Sequence, residues 1–88
     1  MSWADKIADL LDRDPQAVWK CTEFMDGKRH IVKCVLVSEG RRIENNLPVT
    51  GWGGEELKER DVFWTELAKC ECLGGAVDAL YQIERKAA

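Results

Sequence analysis

Residues 18–42, VWKCTEFMDGKRHIVKCVLVSEGRR, decide the fold of this chain. Two runs rich in β-branched and aromatic residues, 18–25 and 28–38, flank Asp26-Gly27, a dipeptide that suits the positive φ angles of a type I′ hairpin turn. Glu39-Gly40 is a second tight-turn signal, and it precedes a third strand-like run. The stretch therefore predicts an antiparallel β-meander of three strands.

The two turns also predict a register. Pairing outward from the first turn sets Glu23 opposite His30, and pairing outward from the second sets Leu36 opposite Ile43. Both pairings place the same alternate residues on one face of the sheet, and that agreement is what a specified register requires. This face is the predicted core, and its members are Trp19, Cys21, Val32, Cys34 and Leu36.

The opposite face of the meander is predicted to meet water. The register places Lys20 opposite Lys33, and like charges in that position are tolerated only where water screens them. The same face carries the apolar residues Phe24, Ile31, Val35 and Val37. Because an apolar face or an unpaired edge strand can bind another chain, a homodimer is one expected state.

Helical patterns lie on both sides of the meander. Ser2 can cap a first helix, whose apolar side is Trp3, Ile7, Leu10 and Leu11, and Asp14-Pro15 ends it. A second helix is expected from about Glu55, and Gly74-Gly75 should kink or end it. The predicted fold is α+β, with residues 1–88 forming one domain of order αβββα or αβββαα and the helices on one face of the sheet.

Composition narrows the function further. The chain of 88 residues has a net charge of −3, which argues against a sequence-independent phosphate binder. No apolar run approaches the roughly 20 residues that a transmembrane helix needs, and the N-terminus lacks the basic start and apolar stretch of a signal peptide. We expect a cytoplasmic protein without a membrane partner.

Four cysteines, Cys21, Cys34, Cys70 and Cys72, are the obvious candidates for chemistry. Without a signal peptide, free buried thiols are the favoured interpretation over disulfides. The two-residue spacing of Cys70 and Cys72 on a helix points their thiols about 200 degrees apart, which disfavours a shared metal ion. The sequence therefore predicts packed thiols and neither a metal site nor a cofactor.

His30 is the single histidine, and beside Glu23 it could form an acid–base pair. A surface histidine paired with a glutamate is the favoured interpretation. No serine or cysteine nucleophile stands at an identifiable activating spacing, and residues 51–54, GWGG, match neither type of phosphate-binding loop. The sequence predicts that the protein is not an enzyme and has no catalytic residues.

Candidate contacts for a protein partner combine one aromatic residue with two acidic groups. Trp52 either fills the open side of the core or is an exposed anchor for a partner. A stripe of aspartates on the first helix is either a solvated face or an anionic surface for a basic groove. The full set is Trp52, Asp5, Asp9, Asp12, Glu55, Glu56 and Glu59.

A nucleic-acid binder is the alternative, and it would use the two basic hairpin tips. Their residues are Lys28, Arg29, His30, Arg41 and Arg42. The order of helix, meander and helix resembles double-stranded-RNA-binding domains over about residues 3–70, and residues 26–30, DGKRH, look like their minor-groove loop. Those domains begin their last helix with a lysine cluster, whereas residues 55–59 here are EELKE, so the main phosphate contact is missing.

The layout, size and acidity are also similar to small anti-CRISPR inhibitors from phages. That resemblance implies a phage or mobile-element regulator that covers the surface of a cytoplasmic host or phage protein, a nucleic-acid-binding one among the candidates. A non-enzymatic protein-interaction module is therefore the leading expectation, and a degenerate double-stranded-RNA-binding-like domain is the second.

Overall fold

The computed structural model describes residues 2–57 and 59–87. Within them the elements run in the order α1 (Trp3–Arg13), β1 (Val18–Asp26), β2 (Arg29–Ser38), β3 (Arg41–Pro48) and α2 (Val62–Ala87). The strands form one antiparallel sheet in the order β1-β2-β3, and α2 packs on one of its faces. The predicted α+β fold is confirmed in its αβββα form.

The first hairpin turn lies one residue later than predicted. Gly27 and Lys28 form the turn, and Asp26 pairs with Arg29. Gly27 has a φ of 62°, as the first central residue of a type II′ turn requires. The predicted register is wrong by two residues, and Glu23 lies opposite Val32 instead of His30. Because side chains alternate with period two, this shift left every side chain on its predicted face.

The second turn is as predicted. Ser38 pairs with Arg41, and Glu39 and Gly40 have φ angles of 52° and 78°, both positive as in a type I′ turn. Leu36 accordingly lies opposite Ile43. The second hairpin therefore has the register that its dipeptide indicated.

The core lies between the inner face of the sheet and the two helices. Val32, Cys34 and Leu36 are fully buried in the central strand, as predicted. The helices contribute the buried residues Leu10, Ala68, Cys72, Leu73, Ala76, Val77 and Leu80. Trp19 is 39% exposed, so its placement in the core is wrong. It lies on an edge strand, where a large ring can be covered on one side only.

Neither of the two helices in the described ranges covers the outer face of the sheet. The shifted register places Lys20 opposite Val35 and Thr22 opposite Lys33, so the predicted lysine pair is wrong and each lysine has an uncharged neighbour across the hairpin. Ile31 is nevertheless buried on this face. Its cross-strand neighbours are Phe24 and Pro48.

Helix α2 begins at Val62, so the predicted start near Glu55 is wrong. Asp61 caps the helix: the Trp64 N–H donates to its carboxylate at 3.0 Å and the Thr65 N–H to its carbonyl at 2.9 Å. The predicted acidic helix start is instead part of a loop, in which Glu56 forms an isolated bridge with Thr50. Two glutamates suit a helix dipole, but they do not begin a helix unless the backbone donors find a cap.

Gly74 and Gly75 lie inside α2, which continues to Ala87, so of the two predicted alternatives, a kink or an end of the helix, the end is wrong. A Cβ atom on Gly74 would stand 3.0 Å from the Cβ and 3.2 Å from the Cα of Trp3 in α1. On Gly75 it would collide with the amide of Asn45, which donates to the Cys72 carbonyl at 2.9 Å. The two glycines therefore allow α1 and β3 to approach the helix closely.

Candidate functional site

The start of α2 and the loop before it expose a group of aromatic side chains. Trp52 is 92% exposed and Phe63 is 63% exposed. Between them lies the half-buried Trp64, whose ring contacts both edge to face, with centroids 5.4 Å from Trp52 and 4.9 Å from Phe63. Together with the exposed Val62 these residues form what we call the aromatic surface.

The loop that presents Trp52 is closed by its own hydrogen bonds. The Gly51 N–H donates to the Glu55 carbonyl at 3.0 Å, and the Gly54 N–H donates to the Gly51 carbonyl at 3.2 Å. Gly54 has a φ of 79°, a conformation that favours glycine. Trp52 stands in this turn and faces water, so the interpretation that it fills the core is wrong. Its role as an anchor remains a prediction.

The loop beside the aromatic surface is acidic. It contains Glu55, Glu56, Glu59 and Asp61, and among its described residues the one cation is Arg60. Glu56 is paired with Arg29 at 2.8 Å, and Asp61 caps α2. Glu55 and Glu59 are exposed. The Glu55 carboxylate lies against Gly51 and Gly53, on either side of Trp52, so the aromatic surface has a negative rim beside this ring.

The aspartates of α1 have different roles. Asp5 takes part in the helix cap: its N–H donates to the Ser2 hydroxyl at 3.3 Å, and that hydroxyl donates to its carboxylate at 2.9 Å. Asp9 accepts a hydrogen bond from the Tyr81 hydroxyl at 2.8 Å. Asp12 is exposed. Two of the three candidate contacts therefore stabilise the fold.

The acidic stripe and the aromatic surface lie far apart. Helix α1 runs beside the C-terminal half of α2, with Lys6 paired to Asp78 at 2.6 Å and Arg13 paired to Glu84 at 2.6 Å. Phe63 lies 21 residues before Glu84, which corresponds to about 30 Å along a helix axis. The structure therefore divides the predicted contact set into two separate regions.

A polar chain of three side chains leads from the interior to the surface: it consists of the buried His30, the half-buried Glu23 and the exposed Arg60. His30 is 9% exposed, so the surface histidine predicted from the sequence is wrong. Its Nε2 lies 2.6 Å from the Glu23 carboxylate, which confirms that the two side chains pair although they are not directly opposite. Arg60 donates to both carboxylate oxygens of Glu23, at 2.9 and 2.7 Å.

Arg60 also decides what this polar chain can do chemically. The pKa of Glu23 is lowered from 4.5 to about 2, and the hydrogen bonds from Arg60 are the largest cause, followed among the lowering causes by the hydrogen bond with His30. A carboxylate with so low a pKa is a weak proton acceptor at neutral pH. Its evident role is structural, because it ties the loop before α2 to the sheet.

The basic hairpin tips do not form one patch. Arg29 pairs with Glu56 at 2.8 Å, and Arg42 pairs with Glu44 at 2.8 Å. Lys28 and Arg41 are exposed at opposite ends of β2, which at ten residues is about 33 Å long. With His30 buried, the residues of the nucleic-acid alternative are dispersed and in part neutralised.

The cysteines differ from the prediction of four free thiols. Cys21 and Cys34 lie directly opposite in β1 and β2, with Cα atoms 4.2 Å apart, and they form a disulfide bond. Cys70 and Cys72 are free, and burial raises the pKa of both thiols. Residues 2–57 and 59–87 contain no group of three His, Cys, Asp or Glu side chains placed to hold a metal ion.

Comparisons with known proteins do not assign the chain to a family, because no family model, no curated protein and no solved structure matches it. The likeness to double-stranded-RNA-binding domains therefore remains one of layout. In the described part of the chain, no helix is long and apolar enough to cross a membrane.

Sequence reasoning missed Phe63 as a surface residue, because a helix that begins near Glu55 would contain Phe63 in its interior. The signal that would have found it is Asp61, a favoured N-cap residue. A helix that begins at Val62 has Val62 and Phe63 in its first turn, where both side chains are exposed.

Proposed function

We propose that this chain is a non-enzymatic protein-interaction module that binds a basic partner protein through the aromatic surface. The observation that carries the proposal is Trp52, an almost fully exposed tryptophan on a loop closed by its own hydrogen bonds. Tryptophan is enriched among residues that dominate binding energy, and a preorganised loop loses little conformational entropy when it binds.

The charge of the rim indicates the chemistry of the partner. Glu55 is exposed beside Trp52, and complementary charge orients a partner and speeds its association. A basic groove with an apolar pocket would accept the Trp52 ring and match this rim. Nucleic-acid-binding proteins carry such basic surfaces, so occupation of one by this chain would inhibit it.

This proposal keeps the expectation of a phage or mobile-element inhibitor, similar to anti-CRISPR proteins, acting in the cytoplasm. The layout, the acidity and the exposed aromatic residues support this expectation. It differs from the prediction made on sequence in its contact set, because Asp5 and Asp9 are engaged in the fold and Asp12 lies far from Trp52.

The test is comparative capture from a lysate of the source cells. The immobilised wild-type chain, Trp52→Ala and Phe63→Ala are compared with Ile83→Ala, a control at an exposed apolar residue near the other end of α2. We expect both surface variants to retain the captured protein at least about tenfold less, while the control retains it fully. The same protein retained equally by all four chains would contradict the proposal.

Nuclease treatment of a parallel sample separates the two function classes. A captured protein that is retained after nuclease treatment is bound directly. A signal that is lost after nuclease treatment, and that falls steeply with salt, would instead favour the nucleic-acid alternative through Lys28 and Arg41.

A further inference from the structure

In the described part of the chain, no strand pairs with the outer edge of β1. β1 is an edge strand of nine residues, and most of its side chains are exposed. Beyond the ladder with β2, none of the described backbone hydrogen bonds involves a β1 residue. A free strand edge presents a row of backbone donors and acceptors that can pair with another chain.

The first hairpin determines which groups point outward. In a two-residue hairpin loop the flanking residues, here Asp26 and Arg29, form a hydrogen-bonded pair. Even-numbered residues of β1 therefore bond to β2. The backbone N–H and C=O groups that point outward belong to Trp19, Cys21, Glu23 and Met25.

The other edge of the sheet is protected, and the contrast favours β1. On β3, Pro48 has no N–H, and Arg42 and Glu44 form an ion pair along the edge. On β1 there is no proline, and large apolar side chains are exposed on both faces: Val18, Trp19, Phe24 and Met25. Proline and charge are the usual means by which proteins block an edge.

We propose that β1 pairs antiparallel with β1 of a second copy, around a two-fold axis that passes through Thr22 and joins the two three-stranded sheets. A two-fold axis normal to the sheet keeps each face, so odd residues oppose odd and even oppose even. In this register Trp19 lies opposite Met25 of the second copy, and Lys20 lies opposite Phe24 of the second copy. The exposed apolar side chains of Trp19, Phe24 and Met25 each gain a cross-strand neighbour in the second copy. No two like charges lie directly opposite each other in this register.

The adjacent registers are less complementary. An axis through Glu23 would place that carboxylate opposite its own copy, and like charges directly opposite are destabilising. An axis through Cys21 would place Glu23 against the Trp19 ring and Met25 opposite Ala17, a small buried residue that lies outside β1. The pairing through Thr22 avoids both arrangements.

Thr22→Glu is the discriminating variant. In the monomer the new carboxylate faces Lys33, its direct cross-strand neighbour, so the fold is supported. Across the proposed axis it faces its own copy. Asn46→Glu is the matched control, because Asn46 is also opposite Lys33 but lies on β3, away from the interface.

Sedimentation velocity of the full-length chains tests the pairing. We expect the wild-type chain and Asn46→Glu to sediment as dimers, with twice the 10.0 kDa mass of one chain. The dissociation constant of the Thr22→Glu dimer should be at least about tenfold higher. Circular dichroism verifies that all three chains are folded. A monomeric wild-type chain, or an equally stable dimer of Thr22→Glu, would overturn the proposal.

Cross-linking tests the register itself. Facing residues in a pair that is not hydrogen-bonded have Cα atoms about 4.5 Å apart, close enough for a disulfide bond. In oxidised glutathione, Thr22→Cys should form a covalent dimer that a reductant separates into single chains. Asn46→Cys should form no more covalent dimer than the wild-type chain does. Equal yields from the two variants would overturn the register.

Discussion

The two ends of α2 differ in what their polar and aromatic residues do. Near the C-terminal end, charged and hydroxyl groups bind α1: Lys6 pairs with Asp78, and Arg13 lies 4.6 Å from the centre of the Tyr81 ring. Near the N-terminal end, Trp52 and Phe63 both contact the Trp64 ring and are otherwise exposed to water. In a sequence, an acidic or aromatic residue that stabilises the fold cannot be told from one that is free to bind. Only the tertiary contacts show which residues are available for binding.

The largest expected effect lies at the packed end, with Gly74→Val. Its branched side chain would meet the Trp3 backbone and push α1 away, so we expect the free energy of unfolding to fall by about 2–3 kcal/mol in denaturant titrations. Glu71→Val, an exposed site on the same helix, controls for the lower helix propensity of valine. Equal losses in the two variants would show that the close approach of α1 is unimportant.

A smaller change in stability is expected when the pH is lowered, because Glu23 of β1 is bound by Arg60 of the loop before α2. The pKa of Glu23 is lowered from 4.5 to about 2 in the folded state, so its contribution to stability is complete above pH 4.5 and is lost as the pH falls toward 2. We expect most of this loss to disappear in Arg60→Gln, because the hydrogen bonds of Arg60 are the largest cause of the lowered pKa. Unfolding curves across this pH range measure it, and identical slopes for both chains would contradict the account.

Asp9 and Asp12 of α1 should differ in their effect on stability. Asp9→Ala removes the acceptor of the Tyr81 hydroxyl, and we expect it to reduce the free energy of unfolding by about 1 kcal/mol. Asp12→Ala, one turn along the same helix, should change it by less than about 0.5 kcal/mol. Thermal unfolding of both variants provides the measurement. A reversed order would place the structural contact at Asp12.

The smallest expected effect on stability is at the aromatic surface. Trp52→Ala should leave the free energy of unfolding within about 0.5 kcal/mol of the wild-type value, since the ring is almost fully exposed. Together with the expected loss of capture, this would separate binding from folding. A loss of stability comparable to that of Gly74→Val would instead assign Trp52 to the fold.

Much of the sheet could be predicted because its signals are local. Glu39-Gly40 fixed the second turn, and the error at Asp26-Gly27 was harmless since a shift of two residues preserves the faces. The signals for α2 depend on distant residues. Gly74 and Gly75 indicate a helix end by themselves, and only contact with Trp3 and Asn45 explains them inside a helix.

The candidate site was predicted less completely for the same reason. The exposure of Trp52 was one of two alternatives left open by the sequence. The burial of His30 and the Cys21–Cys34 bond depend on the position of the loop and on the exact register, neither of which the local pattern determines. Phe63 joined the surface only once Asp61 was known to begin the helix.

Photo-cross-linking from single positions in the source cells tests the central claim most directly. A photoreactive benzoyl-phenylalanine replaces either Trp52 in the aromatic surface or Asp12 in the α1 stripe, both of which are exposed. We expect a discrete adduct with one basic protein from position 52 and none with that protein from position 12. Adducts with the same protein from position 12 but not from position 52 would contradict the assignment of the aromatic surface as the binding site.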